Sequence, residues 1–251
     1  MTVSKNKIKY IQSLKDKKHR LEHHTFVAEG NKMVSELLNC MKCQVLIGTK
    51  DFIETINSSV IEELYEVSQN ELNKISFLNN PQQALAVFYQ PEYEIEETGI
   101  TSQLCIALDG IQDPGNFGTI VRLADWYGIE NIICSKDTVD IYNPKTVQAT
   151  MGAIARIKIH YTDLKEFLTS VKGMPVYGTF LNGKNIYEEN LTENGIIVMG
   201  NEGNGIRPEI ESLITERLYI PNYPKDRTTS ESLNVSVATA IICAEFRRRY
   251  Y

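Results

Sequence analysis

The sequence predicts an α/β protein in which a mostly parallel sheet is covered by helices and is preceded by a smaller α/β domain. Short β-branched runs alternate with segments whose apolar residues recur every three or four positions. This alternation occurs twice, on either side of a charged stretch at residues 90–99. We therefore predict a first domain at 1–92, a linker at 93–102 and a second domain at 103–251.

The first domain is predicted to contain three helices between four strands. Helix 31–38 has Met33, Val34, Leu37 and Leu38 on one face, as expected of a helix that packs on a core. Its strands are predicted at 25–28, 44–47, 64–67 and 84–89, and its helices at 31–38, 51–57 and 70–75.

The second domain has strands that read as continuous apolar runs, which is typical of a parallel sheet covered on both faces. The strands are predicted at 104–108, 131–134, 157–160, 176–180, 196–199 and 218–220, and the helices at 119–127, 163–170, 208–215 and 232–248. Loops rich in glycine and short polar residues follow the strands that end at Leu108, Met199 and Ile220. Ligands bind beyond the carboxyl ends of such strands, so we predict one shared pocket there.

Composition restricts the class of protein. The chain has 251 residues, is 42% hydrophobic and carries a formal net charge of −6. We expect a soluble cytoplasmic protein, because no apolar run is long enough to cross a bilayer and the first residues lack the apolar core of a secretory signal. The five scattered cysteines do not resemble a disulfide framework.

Basic residues are concentrated at the two ends of the chain. Residues 5–20 hold seven Lys or Arg against one Asp, and Arg247–Arg249 lie near the C-terminus. These segments could contact phosphates, or they could be the solvated faces of helices, and charge alone does not decide between the two.

Several familiar kinds of site are disfavoured. Neither a phosphate-binding loop ending in Lys-Ser/Thr nor a dinucleotide fingerprint occurs, and Glu202 in the loop 200–205 would repel a pyrophosphate. Cys40 and Cys43, with His19, His23 and His24 upstream, have a spacing that could serve a zinc ion. No second cysteine pair matches, so we expect no metal site.

Three segments of the second domain belong together. They are Asp113–Gly118 continuing to Arg122, then Gly200–Gly205, then Ser232–Ser236 after Ile220-Pro221. In sequence and in order they resemble the signature motifs of the SpoU branch of the SPOUT RNA methyltransferases. More weakly, Phe26–Gly30 resembles the start of the small ribosomal-protein-like domain that often precedes the catalytic domain and helps to hold RNA.

This resemblance implies a deep C-terminal trefoil knot, a homodimer and S-adenosylmethionine as cofactor. It also implies methylation of a ribose 2′-hydroxyl in rRNA or tRNA. The cofactor-binding residues would be Thr179, Gly200, Ile220, Leu233 and Asn234. The catalytic residues would be Asn116, Arg122, Glu202, Ser232 and Asn234.

Arginine side chains stay protonated in proteins, so we expect Arg122 to clamp an RNA phosphate instead of acting as a base. On the residues alone, a surface ion pair between Arg122 and Asp125 is the simpler interpretation.

The third motif departs from the family pattern. Its loop at 222–230 is longer than usual and lacks the customary glycine, and Lys225 and Arg227 in it could contact RNA or only solvent. A non-catalytic RNA-binding protein that retains the fold is therefore the alternative.

Overall fold

The computed structural model describes residues 3–171, 173–224 and 232–250 and divides the chain into two compact units. The first unit comprises Met1–Glu92 and Asp140–Ala155, and the second comprises Tyr93–Val139 and Arg156–Tyr251. The division after Glu92 coincides with the predicted domain boundary. Residues 140–155 differ, because they cluster with the first unit although we predicted them in the second domain.

The first unit is built on a four-stranded sheet. Its elements are α1 (Lys5–Ser13), α2 (Lys17–His23), β1 (Thr25–Glu29), α3 (Asn31–Leu38), β2 (Cys43–Gly48), α4 (Lys50–Ile53), β3 (Ile61–Glu66), α5 (Gln69–Ile75), β4 (Ala84–Tyr89) and, later in the chain, α8 (Pro144–Thr150). The strands are in the order β1-β4-β2-β3. Strand β4 is antiparallel to β1 and to β2, whereas β2 and β3 are parallel.

The basic segment forms two helices, α1 and α2, which was one of the two interpretations left open. The burial of Arg20 in α2 was not predicted, since only 2% of its surface is exposed. Its guanidinium binds Asp140 (Nη2 to Oδ2, 2.7 Å) and the carbonyl oxygen of Leu14 (2.8 Å), so it is not available to a phosphate. Helix α8 was also missed, although Asn143 caps it and Pro144 takes its first position, a recognised start signal.

The second unit contains a six-stranded sheet. Its elements are α6 (Glu97–Thr101), β5 (Leu104–Asp109), α7 (Pro114–Trp126), β6 (Asn131–Ser135), β7 (Lys158–Thr162), α9 (Leu164–Ser170), β8 (Val176–Asn185), β9 (Gly195–Gly200), α10 (Pro208–Glu211), β10 (Glu216–Tyr219) and α11 (Val235–Arg248). The strands are in the order β10-β8-β9-β5-β6-β7, and every pairing is parallel. All residues of the central strand β5 are buried, as a sheet covered on both faces requires.

Helix α7 begins earlier than predicted, and this changes the first motif. We expected the segment up to Gly118 to be a loop, but the structure places Pro114–Gly118 in the first turns of the helix. Asp113 caps this helix, because its Oδ1 accepts the N–H of Asn116 (2.7 Å), and Pro114 suits the first helical position. Asn116 is therefore held on a helix, which is more rigid than a loop.

The basic C-terminus is largely occupied within its own unit. Arg247 donates to the carbonyl oxygens of Tyr127 (2.8 Å) and Gly128 (3.1 Å), and Arg248 and Arg249 pair with Glu245. The hydrogen bonds from Arg248 and Arg249 lower the pKa of Glu245. The three arginines thus anchor the end of α11, as cations near a helix C-terminus commonly do. No helix in the described ranges is both long enough and apolar enough to span a membrane.

Candidate active site

The three motif-bearing loops leave the sheet at one edge. Strands β5 and β9 are neighbours and parallel, so Asp109 and Gly200 at their ends lie side by side. Strand β10 is also parallel and ends at Tyr219, two strands away from β9. The loops therefore emerge at the carboxyl edge, where open α/β sheets bind ligands.

Side-chain hydrogen bonds join the three motifs. The Asn116 amide donates from Nδ2 to Glu202 Oε1 at 2.7 Å, and the Asn234 amide donates from Nδ2 to Asn116 Oδ1 at 2.9 Å. These residues are 86 and 118 positions apart in the chain. The structure thus brings together one residue from each predicted motif.

Asn234 has a second role as the cap of α11. Its Oδ1 accepts the backbone N–H of Ser236 (3.0 Å) and the Ser236 hydroxyl (2.7 Å). The donors at the start of the helix are thereby satisfied, and the Nδ2 group stays directed at Asn116. Substituting Asn234 would therefore disturb both the helix start and the contact between motifs.

A cavity of about 730 Å³ lies beside these hydrogen bonds. This volume falls within the range of roughly 300–1,000 Å³ that is usual for small-molecule sites. Six predicted site residues line it, namely Thr179, Gly200, Glu202, Ile220, Ser232 and Leu233. Asn116 and Asn234 do not line the cavity. Asn116 donates to Glu202, which does line it, and Asn234 donates to Asn116.

Gly200 is required for steric reasons. A Cβ atom at this position would lie 2.4 Å from the carbonyl carbon of Gly205 and 2.5 Å from the backbone nitrogen of Ile206. Real Cβ atoms do not approach backbone so closely, so only glycine allows the second-motif loop to fold back against β9. The loop then closes through paired backbone hydrogen bonds between Asn201 and Gly205 (2.9 and 3.0 Å).

Two polar contacts that the sequence analysis missed anchor this loop. The side chain of Asp109 is fully buried, and it accepts the backbone N–H (2.8 Å) and the Nε–H (2.7 Å) of Arg207. Hydrogen bonding to Asp109 raises the pKa of the Arg207 guanidinium. The Asn201 amide also donates to the carbonyl oxygen of Gly110 (2.7 Å). The sequence offered one signal for the contact between Asp109 and Arg207, namely a charged residue directly after the apolar run 104–108.

Arg122 does not reach the cavity of its own chain. It is exposed and lies six residues beyond Asn116 on α7, which corresponds to about 9 Å along the axis and a different face. The simpler interpretation on the residues alone, an ion pair with Asp125, is wrong, because Asp125 binds Arg156 through two hydrogen bonds of 2.8 and 2.7 Å.

Part of the third motif lies outside the described residues. Lys225 and Arg227 are in this part, as are the other residues of 225–231 that lead toward α11. The expected RNA contacts of this loop and the implied knot are therefore not described. Before the gap, Tyr219 donates from its hydroxyl to Asn222 Oδ1 (3.0 Å).

The cysteines and histidines named above do not form one group. All five cysteines are free, and Cys43 is buried, which raises the pKa of its thiol to about 12. Cys40 is exposed. Among the described residues, His19, Glu22 and His23 lie with ligand atoms within 4.8 Å of one another, without a cysteine.

Comparison with known proteins agrees with this geometry. The model of the SpoU rRNA Methylase family matches residues 103–244, and that of the MRM3-like substrate binding domain matches residues 5–86. Among solved structures, a protein of the TrmH family of RNA methyltransferases from Porphyromonas gingivalis superposes with a TM-score of 0.88 and 40% identity. That match covers 99% of this chain and 100% of the other. The AdoMet-bound rRNA methyltransferase from Sinorhizobium meliloti gives a TM-score of 0.86 at 28% identity, covering 100% and 97%. The predicted fold class is confirmed.

Sequence relatives lead to the same family. The 23S rRNA (guanosine(2553)-2'-O)-methyltransferase RlmP of Bacillus subtilis is 32% identical over 247 residues, which cover 96% of each chain. The 23S rRNA (guanosine-2'-O-)-methyltransferase RlmB of Neisseria meningitidis is 34% identical over 150 residues, or 58% of each chain. Because one family model covers more than half of the chain and one relative matches nearly all of it, the chain belongs to the SpoU rRNA methylase family, as its motifs predicted.

Proposed function

We propose that this enzyme transfers a methyl group from S-adenosylmethionine to the ribose 2′-hydroxyl of a guanosine in ribosomal RNA. The observation that carries the proposal is the hydrogen-bonded set Glu202–Asn116–Asn234 beside a cavity of about 730 Å³. The choice of guanosine and of ribosomal RNA is supported by relatives that are named as guanosine 2′-O-methyltransferases of 23S rRNA.

The cavity suits a positively charged ligand of nucleoside size. Glu202 presents a carboxylate on its wall, and negative charge there favours a cation. Gly200 allows the loop to fold back against β9 and so shapes this wall, while Leu218 and Leu233 supply apolar surface. Thr179, Gly200, Ile220 and Leu233 would hold the donor, and Asn234 would act by fixing the start of α11.

The main requirement of the reaction is that the ribose oxygen and the methyl group are correctly oriented toward each other. Bound S-adenosylmethionine supplies a methyl carbon on a positively charged sulfur, and its transfer to oxygen is an in-line displacement. The hydrogen bonds of Asn116 and Asn234 connect the three motif segments beside the cavity. Ser232 lies on the wall of the cavity next to Leu233. Arg122 would clamp an RNA phosphate through its planar guanidinium and so orient the ribose.

Arg122 can do this only if a second subunit is present. It faces away from its own cavity, and Trp126, four residues further on α7, is 83% exposed. Residues spaced by four share one side of a helix, so Arg122 lies beside a large exposed apolar ring. Such a surface is typical of an interface. We therefore propose a homodimer in which each cleft is completed by Arg122 of the partner subunit.

Methyl transfer is tested with tritium-labelled S-adenosylmethionine and unmodified 23S rRNA. The label should enter RNA and be recovered in a dinucleotide that resists alkaline hydrolysis, because a 2′-O-methyl group blocks cleavage at that position. Label that is released as free nucleotides would place the methyl group on a base and contradict the proposal. Absence of S-adenosylmethionine binding in calorimetry would instead support a non-catalytic RNA-binding protein.

The site assignment is tested with Asn116→Ala. This change removes both hydrogen bonds between motifs, each worth about 0.5–1.5 kcal/mol, so transfer should fall about tenfold or more. The control is Asn190→Ala, an exposed asparagine of the same unit, which should not change the rate. Equal rates for the two variants would rule out a role for the bridge between motifs.

The shared cleft is tested by mixing Arg122→Ala and Asn116→Ala subunits after denaturation and refolding. Half of the dimers should be mixed, and each should carry one intact cleft, so about a quarter of wild-type activity should return. If each cleft used only its own Arg122, the mixture would be as inactive as its components.

A further inference from the structure

A second cavity, of about 340 Å³, lies in the first unit. It is bounded by the end of β1, by the residues that follow α5 and by α8, all of which belong to that unit. Glu29, Phe77, Lys145, Gln148 and Ala149 contribute to its walls. Its volume is at the lower end of the range for small-molecule sites, which suits a single planar group.

Glu29 places a carboxylate in this wall although only 5% of the residue is exposed. Its Oε1 accepts the backbone N–H of Phe77 (2.8 Å), and its Oε2 accepts the Ser76 hydroxyl. Burial raises the pKa of this carboxyl. Because each carboxylate oxygen accepts two hydrogen bonds, the group retains acceptor capacity for a ligand. Within the described ranges, no lysine or arginine nitrogen lies within 4 Å of it, although the charge of Lys15 lowers its pKa and so opposes the effect of burial.

The other walls supply an aromatic ring and positive charge. The Phe77 ring is partly buried, and Lys15 Nζ lies 4.6 Å from its centroid. Lys145 is exposed on α8, one turn before Gln148, which presents an amide. The cavity therefore combines a deep hydrogen-bond acceptor, a ring for stacking and a lysine that solvent reaches.

We propose that this cavity binds an unpaired guanine of the RNA substrate. Guanine carries two adjacent donors, N1–H and the N2 amine, on the edge that a carboxylate recognises, whereas adenine and cytosine each present one amine. Proteins read unstacked RNA bases by aromatic stacking and by contacts to this edge. The phosphate of the nucleotide would contact Lys145.

The proposal rests on the proposed function, since it takes RNA as the substrate. Independent support is that Glu29 and Phe77 lie within residues 5–86, which match the MRM3-like substrate binding domain. No overlap exists between the residues of this cavity and those that line the candidate methyl-donor cavity.

The test uses guanosine, inosine and adenosine 5′-monophosphates with this chain of 251 residues, saturated with S-adenosylmethionine so that the donor cavity is blocked. Titration followed by ligand-observed NMR should show the guanosine nucleotide binding about tenfold more tightly than the adenosine nucleotide. The inosine nucleotide, which lacks the N2 amine, should be intermediate. Equal affinities, or preferential binding of N-acetyl-arginine amide as the mimic of a protein partner, would overturn the proposal.

Two variants separate ligand binding from a structural role of Glu29. Glu29→Gln removes acceptor capacity but also alters the contacts with Ser76 and Phe77. Ala149→Leu fills the cavity from α8 and leaves those contacts in place. Both should lose the guanosine preference, and both should raise the KM for RNA about tenfold while the S-adenosylmethionine affinity is retained. Glu22→Gln, at an exposed glutamate of the same unit, is the control.

The outcomes distinguish this proposal from the proposed function. Methyl transfer to RNA with an unchanged KM in a folded Ala149→Leu variant would refute the guanine site and leave the methyltransferase assignment intact. Lack of methyl transfer by the wild-type protein would count against the proposed function, whereas the nucleotide preference would still report on the cavity.

Discussion

The pair formed by Arg207 and Asp109 allows a quantitative prediction about the second-motif loop. The Asp109 side chain is 0% exposed, whereas 41% of the Arg207 side chain is exposed. Arg207→Met removes the guanidinium and leaves the buried carboxylate with the backbone N–H of residue 207, at 2.8 Å, as its donor from this loop. The loop 200–207 carries Glu202, so the donor cavity should be disturbed as well.

The magnitude follows from burial. Breaking a fully buried ion pair costs about 3–5 kcal/mol. Water can partly replace a guanidinium that is 41% exposed, so we expect about 2–3 kcal/mol here. At roughly 2–4 °C for each kcal/mol in a protein of this size, the Tm of the second unit should fall by roughly 4–12 °C.

The assay is thermal unfolding of Arg207→Met, Asp109→Asn and the double variant. Because Asp109→Asn removes the charge that would be left unpaired, the double variant should be more stable than Arg207→Met. Arg156→Met is the matched control, since Arg156 and Asp125 are 50% and 27% exposed and such a pair contributes about 1 kcal/mol or less. Strictly additive losses, or an equal loss in Arg156→Met, would refute the reasoning.

Three further predictions concern single residues. Gly200→Ala should abolish S-adenosylmethionine binding in calorimetry, because its Cβ would lie 2.4 Å from the Gly205 backbone, and near-normal affinity would contradict this. His160 is buried, with its Nε2 3.1 Å from Asn131 Oδ1, and burial lowers its pKa. On acidification below about pH 6.5, this histidine therefore becomes protonated in the unfolded state before it does so in the folded state. Stability in urea should therefore decrease on acidification by up to about 1.4 kcal/mol per pH unit, less steeply in His160→Gln, and equal slopes would exclude His160 as the cause. In thiol labelling of the native protein Cys40 should react first, because the other four cysteines are buried, and rapid labelling of several thiols would disagree with this.

Much of the fold could be predicted because its signals are local. The apolar runs at 104–108 and 196–199 correspond to strands β5 and β9, which end one residue later. The predicted ends of the helices were less accurate, because the capping residues determine where a helix begins. Asp113 starts α7 five residues before the predicted position, and α11 begins at Val235 because Asn234 caps it.

The candidate site was predictable in part for the same reason. Asn116, Glu202 and Asn234 stood out as polar residues beside strand ends or a helix start, and a chain of hydrogen bonds connects them. Arg122 and Arg20 show where local signals do not suffice. The resemblance assigned Arg122 to an RNA phosphate, and charge left the segment of Arg20 open between phosphate contacts and a helix surface. In the structure Arg122 is exposed and does not line the cavity of its own chain, and Arg20 is buried against Asp140.

By itself, the sequence determined the α/β class, the parallel second sheet and the three segments that carry the methyltransferase motifs. Periodicity and strand-end residues encode these features within a few neighbouring positions. Only the tertiary structure decided that Asp109 meets Arg207, that residues 140–155 join the first unit and that Glu29 lines a cavity. Those contacts join residues far apart in the chain, and they depend on which strands and helices become neighbours, which no local pattern specifies.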